Sequence, residues 1–267
     1  MNSVGYWDRY YRSRPHAIDW YCGPETAEMC DALHRLFDDI AVRRNEVNAS
    51  SNALDHQSRT LEVLHVGCGT SNFVSYLDYS RLIPEVTTSG SLVNVVVYHI
   101  DFVSHCLDTL QQLVNDHGNE ELTGVRMMQL EYRFRVLDCS QLDEWDNETV
   151  DLIIDKGTTD AMLSSDNMEI SESLKSMHKV FHEWARVLSF GGAAIVISIR
   201  NPHQLLRYLE TGGISGNTGP QDDASHMFLY RSKIGDLPLD VSITRVSATP
   251  LEDPQKDSIW ILTFFKT

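Results

Sequence analysis

The chain is short of basic residues: 22 lysines and arginines face 38 aspartates and glutamates in 267 residues, a formal charge of −16. Such a surface repels nucleic-acid phosphates and anionic membranes and attracts a basic partner. Cysteine is scarce as well. Cys22, Cys30, Cys68, Cys106 and Cys139 are odd in number, scattered and without a C-x-x-C pair, which excludes a disulfide scaffold and fits reduced intracellular thiols. No apolar run approaches the roughly 20 residues of a transmembrane helix, and the opening MNSVGYWDRYYRSRPH holds no apolar signal core. A soluble cytoplasmic protein is expected, with neither nucleic acid nor membrane as partner. Also missing are the third glycine of a dinucleotide-binding G-x-G-x-x-G, whose place Asn72 takes, the G-K-[ST] of a P-loop and the H-E-x-x-H of a zinc enzyme. His178 and His182 stand four apart beside Glu183 without a third ligand in reach of the pattern, so no metal is expected.

What the chain does have is alternation. Apolar, β-branched runs at 61–66, 93–100, 127–136, 150–154 and 193–199 predict strands, the second (VNVVVYHI) apolar nearly throughout, as in a parallel strand covered on both faces. Between them, 102–114 places Leu107, Leu110 and Val114 on one helical face, and 168–188 does so for Leu174, Met177, Phe181, Trp184 and Leu188. Runs at 239–247 and 259–265 predict a closing antiparallel pair. Repeated β-α units imply an α/β fold with a doubly wound, mostly parallel, Rossmann-like sheet of seven strands and an antiparallel C-terminal hairpin. One domain over 1–267 is expected, with 1–58 as an N-terminal segment and linker and 59–267 as the core. The polar stretches 45–58, 84–91 and 212–224 read as flexible connections.

The first strand stops abruptly on VGCGTS. In doubly wound sheets, ligands sit outside the carboxyl ends of the strands, where strand order reverses. Gly67 and Gly69 there would let a ligand approach the backbone without a Cβ in the way, with the next helix starting near Ser71. The second strand ends in Asp101, suited to accept both hydroxyls of a ribose, and the third in Asp138, where an adenine amino group could donate. Singly, each aspartate is more often a helix cap. Three consecutive strand ends reading glycine pair, aspartate, aspartate describe a nucleoside pocket. His65, inside the first strand, reads as a satisfied buried histidine, and Cys68 and Cys106 as small apolar fillers.

With these motifs the layout resembles the class I S-adenosylmethionine-dependent methyltransferases. The YWDRYY…IDWY opening, the DLIIDKGTTDAML after the fourth strand and the Pro-His pair of RNPHQLLRY resemble, more narrowly, the eukaryotic elongation factor 1-alpha lysine methyltransferases. The resemblance covers nearly the whole chain, although Thr70 replaces the usual asparagine and 84–91 and 116–122 look like insertions. It implies S-adenosyl-L-methionine as cofactor. Gly67 would face its amino-acid portion, Asp101 and Phe102 would hold ribose and adenine, and Asp138 and the Cys139 backbone would read the adenine edge. Lys156 would line the reactive end, and Trp7, Tyr11 and Trp20 would fold over the cofactor. Asp155 would orient or dock the incoming amine. The implied activity is methylation of a lysine side chain on a basic protein such as elongation factor 1-alpha. A small-molecule methyltransferase of the same fold and a catalytically silent cofactor-binding scaffold remain as alternatives.

Overall fold

Val95 and Val97 point to one face of the second strand, Val96 and Tyr98 to the other, and all four are buried, so this strand lies between two layers. In the computed structural model, which describes residues 4–14, 27–50, 60–83, 93–116, 128–164, 170–211, 228–230, 237, 239–247 and 258–267, it sits inside one eight-stranded sheet. The strands are β1 (Leu61–Val66), β2 (Val93–Asp101), β3 (Met128–Val136), β4 (Val150–Lys156), β5 (Leu188–Ser198), β6 (Phe228–Tyr230), β7 (Leu239–Ser247) and β8 (Ser258–Lys266). Their order is β3-β2-β1-β4-β5-β8-β7-β6. The first five pair in parallel, and β8, β7 and β6 pair antiparallel. The expected doubly wound sheet with its C-terminal hairpin is therefore present. The eighth strand is the three-residue edge β6, too short to carry a periodic signal.

Helices α1 (Val4–Arg12), α2 (Ala27–Ser50), α3 (Ser104–Asp116), α4 (Thr158–Leu163), α5 (Ile170–Val187) and α6 (Pro202–Thr211) complete the described elements. One core forms where α5 and α6 bring Met177, Phe181, Trp184 and Leu205 onto Leu64, Val66, Ile153 and Phe264. The opposite face receives Met29, Leu33, Phe37 and Ile40 of α2, an i, i+4, i+8, i+11 stripe, together with Phe73, Tyr79 and Leu82. Helix α2 runs through Ser50, so the first part of the polar stretch 45–58 is its last turn and a half; the remainder, with 84–91 and 212–224, lies outside the described residues.

Two further local outcomes depart from the expected pattern. Strand β5 begins at Leu188, five residues earlier than Ala193, because Gly191 and Gly192 sit at a register shift against β4 instead of ahead of the strand. Gly191 has φ +76, and a Cβ there would lie 3.1 Å from the Arg44 Cα, so the bulge also seats α2. After β1 no α-helix follows near Ser71; two 3-10 turns, Phe73–Tyr76 and Tyr79–Leu82, do. At the amino ends of the strands, a buried Arg44–Asp151 pair at 3.0 Å ties α2 to β4, with Asp151 also accepting the Glu62 backbone N–H at 3.0 Å. The strand order reverses between β1 and β4, and their carboxyl ends open to one side.

Candidate active site

The chain leaves β1 through two left-handed residues, Gly67 (φ +56) and Gly69 (φ +54). Both conformations strain any residue with a Cβ. The space beside them is occupied by the protein itself: a Cβ on Gly67 would fall 2.0 Å from Thr158 Oγ1, and one on Gly69 would fall 2.5 Å from the Tyr11 hydroxyl. The glycines thus admit two of the chain's own side chains as well as leaving backbone open to a ligand.

The loop is held from below by Asp101. Its Oδ2 accepts the Gly69 N–H at 2.9 Å and its Oδ1 the Val103 N–H at 2.9 Å, and the residue is 3% exposed. Burial raises the Asp101 pKa, against the pull of those amides, which stabilise the carboxylate. The carboxylate that organises the loop also lines the cavity, where it can receive ligand hydroxyls. Asp138, at the end of β3, is exposed and closes its own turn by accepting the Ser140 N–H at 2.8 Å.

These groups border one cavity of about 520 Å³, a size within the ordinary range of small-molecule sites. Of the residues singled out above, Trp7, Tyr11, Gly67, Gly69, Asp101, Phe102, Asp138, Cys139 and Lys156 all line it. Trp20 lies outside the described residues. Lys156 is 7% exposed, and its ammonium stands 4.7 Å from the centre of the Phe73 ring, in cation–π range. Trp7 and Tyr11 stack at 5.8 Å between centroids and, with Val103, Cys106 and Leu110, bury one face of α1 over the loop.

Asp155 behaves differently. It is fully buried and does not line the cavity. Its carboxylate accepts the Thr158 N–H at 2.7 Å, the Thr159 N–H at 3.0 Å and the Thr159 hydroxyl, so it is the hydrogen-bonding cap of α4. Burial pushes its pKa up to about 6, against those hydrogen bonds. An influence on a ligand would therefore pass through α4, whose Gly157 and Thr158 do line the cavity. The sequence reading also passed over a third wall, supplied by Met162 of α4 and by Ser176, Lys179 and Val180 of α5. Their only signal was the i, i+3, i+4 spacing of the last three, on a helix already read for its apolar face.

One trio among the described residues, His65, Cys68 and His99, brings its ligand-capable atoms within 4.8 Å of one another. Neighbouring strand positions pair the histidines, and their Nδ1 atoms share a hydrogen bond of 3.2 Å. Burial holds both below their usual pKa, His99 at about 3. With one ring donating and the other accepting, the Nδ1 contact suits a neutral pair, while the buried His99 Nε2 has no hydrogen-bond partner among the described residues. His178 is half-buried and His182 exposed on α5. The four described cysteines are free thiols, and no helix among the described residues is long and apolar enough to cross a membrane.

The cavity offers a left-handed glycine loop, a buried carboxylate at the next strand end, another carboxylate beyond it, and apolar walls from Phe102, Leu137, Met162 and Val180. That donor set fits a nucleoside carrying a short polar tail. No family model matches the chain. The eEF1A lysine and N-terminal methyltransferase of Mus musculus is 26% identical over 206 residues, covering 77% of this chain and 22% of that protein, so the chain spans about a fifth of that relative's length. The mitochondrial citrate synthase-lysine N-methyltransferase of Danio rerio is 24% identical over 216 residues, 79% of this chain and 72% of that protein. Among solved structures, N-methyltransferase NodS from Bradyrhizobium japonicum, in complex with S-adenosyl-L-homocysteine, superposes with a TM-score of 0.51 at 11% identity, over 97% of this chain and 98% of that one. The chain has the Rossmann-like fold of the class I S-adenosylmethionine-dependent methyltransferases, and in sequence it resembles their eEF1A lysine methyltransferase branch.

Proposed function

We propose that this chain is an S-adenosylmethionine-dependent methyltransferase acting on a lysine side chain of a basic protein such as elongation factor 1-alpha. The observation that carries the cofactor reading is the convergence of three consecutive strand ends, Gly67–Gly69, Asp101 and Asp138, on a single cavity. Two relatives are named for lysine methylation of proteins, and the charge of −16 suits a cationic target.

In this reading Asp101 holds the ribose hydroxyls while fixing the glycine loop, and Phe102 and Leu137 flank the base. The bound cofactor would supply an activated methyl group. The protein's part is to place the acceptor in line with that methyl, at roughly 3–3.5 Å. The harder requirement is a neutral amine: taking a free lysine to its neutral form at pH 7 costs about 4.6 kcal/mol. Burial under Trp7 and Tyr11 lowers that cost. Asp155 supports this arrangement as the cap of α4, without contact to the acceptor.

Incubating the protein with methyl-labelled cofactor and a cell extract tests the proposal. A labelled protein band that disappears at high salt and with Asp101→Ala is expected. Label confined to a small metabolite would overturn the protein substrate, and no transfer would overturn catalysis.

A further inference from the structure

Thr158 packs directly against Gly67, and the cofactor-binding pattern did not single it out. Its hydroxyl donates toward the Val66 carbonyl at 3.1 Å and the Gly67 carbonyl at 3.3 Å, the last peptide groups of β1 before the cavity. Its methyl would also stand 2.7 Å from any Cβ on Gly67, so only glycine fits beside it. The hydroxyl is itself fixed. Asp155 accepts the Thr158 backbone N–H at 2.7 Å, and the preceding Gly157, at φ +88, donates its N–H to the Ile197 carbonyl at 3.2 Å. A buried carboxylate thus sets α4, α4 sets Thr158, and Thr158 sets the Gly67 peptide. Gly67 and Thr158 both line the cavity.

We infer that Thr158 is a positioning residue for the amino-acid end of the cofactor, acting through the Gly67 carbonyl; this rests on the methyltransferase reading above. A carbonyl oxygen has two lone pairs. With one turned to the Thr158 hydroxyl, the other is held at a fixed angle for the ligand's ammonium group. Without the hydroxyl the peptide keeps its place in the chain but loses its preferred tilt, and an anchor that depends on its support loosens. The adenosine end, which this reading assigns to Asp101, Phe102 and Leu137, does not use the Gly67 carbonyl and should not register the change.

Two ligands separate the ends: S-adenosylhomocysteine, which carries the amino-acid portion, and 5′-methylthioadenosine, which is the same thioether without it. Their affinities are compared by calorimetry on the wild type, on Thr158→Val, which keeps the shape and removes the hydroxyl, and on Thr158→Ser, which keeps the hydroxyl. Thr158→Val is expected to weaken S-adenosylhomocysteine by about five- to tenfold, the loss of one uncharged hydrogen bond, with 5′-methylthioadenosine unchanged and Thr158→Ser near wild type. Because the second ligand reports that the site is folded, a collapsed variant cannot imitate this pattern; should valine prevent folding, Thr158→Ala takes its place. Equal weakening of both ligands, or no weakening of either, would overturn the inference while leaving the cofactor reading intact. A wild type that binds neither ligand would overturn the cofactor reading, and this inference with it.

Discussion

Asp155 shows how one residue's environment decides its role. From sequence it stood beside the reactive end as a docking carboxylate; in the fold its two oxygens are taken up by α4, and burial moves its pKa from 3.8 to about 6. The sign of the consequence is fixed by that direction. The folded state holds the proton more tightly than the unfolded chain, so the contribution of Asp155 to stability is fully present below about pH 4 and is lost as pH rises through about 6, by roughly 3 kcal/mol. Asp155→Asn removes this titration and leaves three donors facing one acceptor oxygen, a loss of roughly 1–3 kcal/mol at pH 7. Denaturant unfolding should show the stability of wild type relative to the variant to be greater at pH 4.5 than at pH 7, because the histidine contributions cancel in that difference. An equal difference at the two pH values would mean that the Asp155 pKa is not raised in the folded protein. At this scale the sequence was informative about residue type and place, as with Gly67, Gly69 and Asp101, but not about direction. An aspartate at the end of β4 can turn outward to the cavity or back to cap α4, and only the left-handed Gly157 beside it settles the choice.

Among the elements, α1 bears most directly on activity. Its Trp7 and Tyr11 are 7% and 8% exposed, although no strand pairing depends on this helix, and they pack on α3 and on the loop. A helix joined to the core by one aromatic face can leave and return without breaking the sheet. Trp7→Ala should therefore melt close to wild type and yet bind S-adenosylhomocysteine at least tenfold more weakly, since water would reach the reactive end. The tryptophan fluorescence change on adding ligand should be lost with it. Normal affinity together with an undiminished fluorescence response would reduce α1 to a packing element. Strands were the most legible elements: β1 and β7 match their predicted bounds, and β2, β3, β4 and β8 differ by one or two residues at their ends; β1, β2 and β4, parallel and buried on both faces, are nearly unbroken apolar runs. Helix α2 was missed although Met29, Leu33, Phe37 and Ile40 keep helical spacing; in the polar turn that follows them, Arg44 is buried against Asp151. The 3-10 turns after β1 carry no periodic signal long enough to read.

Over the whole molecule, the excess of acidic residues and the arrangement of strand ends point the same way: a cavity for a nucleoside cofactor on a chain that attracts cations. The topology follows from rules that need no particular residue, since parallel crossovers have one hand and ligands gather where strand order reverses. The substrate does not follow in this way, because it is recognised at the surface around the cavity, where single charges change little in the fold. The central claim is that the convergent strand ends bind S-adenosylmethionine, and titration of S-adenosylhomocysteine into wild type and Asp101→Ala tests it most directly. Asp101 would contribute both to the ribose and to the Gly69 amide, so its loss should remove charge-assisted hydrogen bonds at roughly 1.5–3 kcal/mol apiece. The account predicts one saturable site per chain in the wild type and an affinity at least tenfold weaker in the variant. No binding to the wild type, or equal affinities in the two proteins, would contradict it.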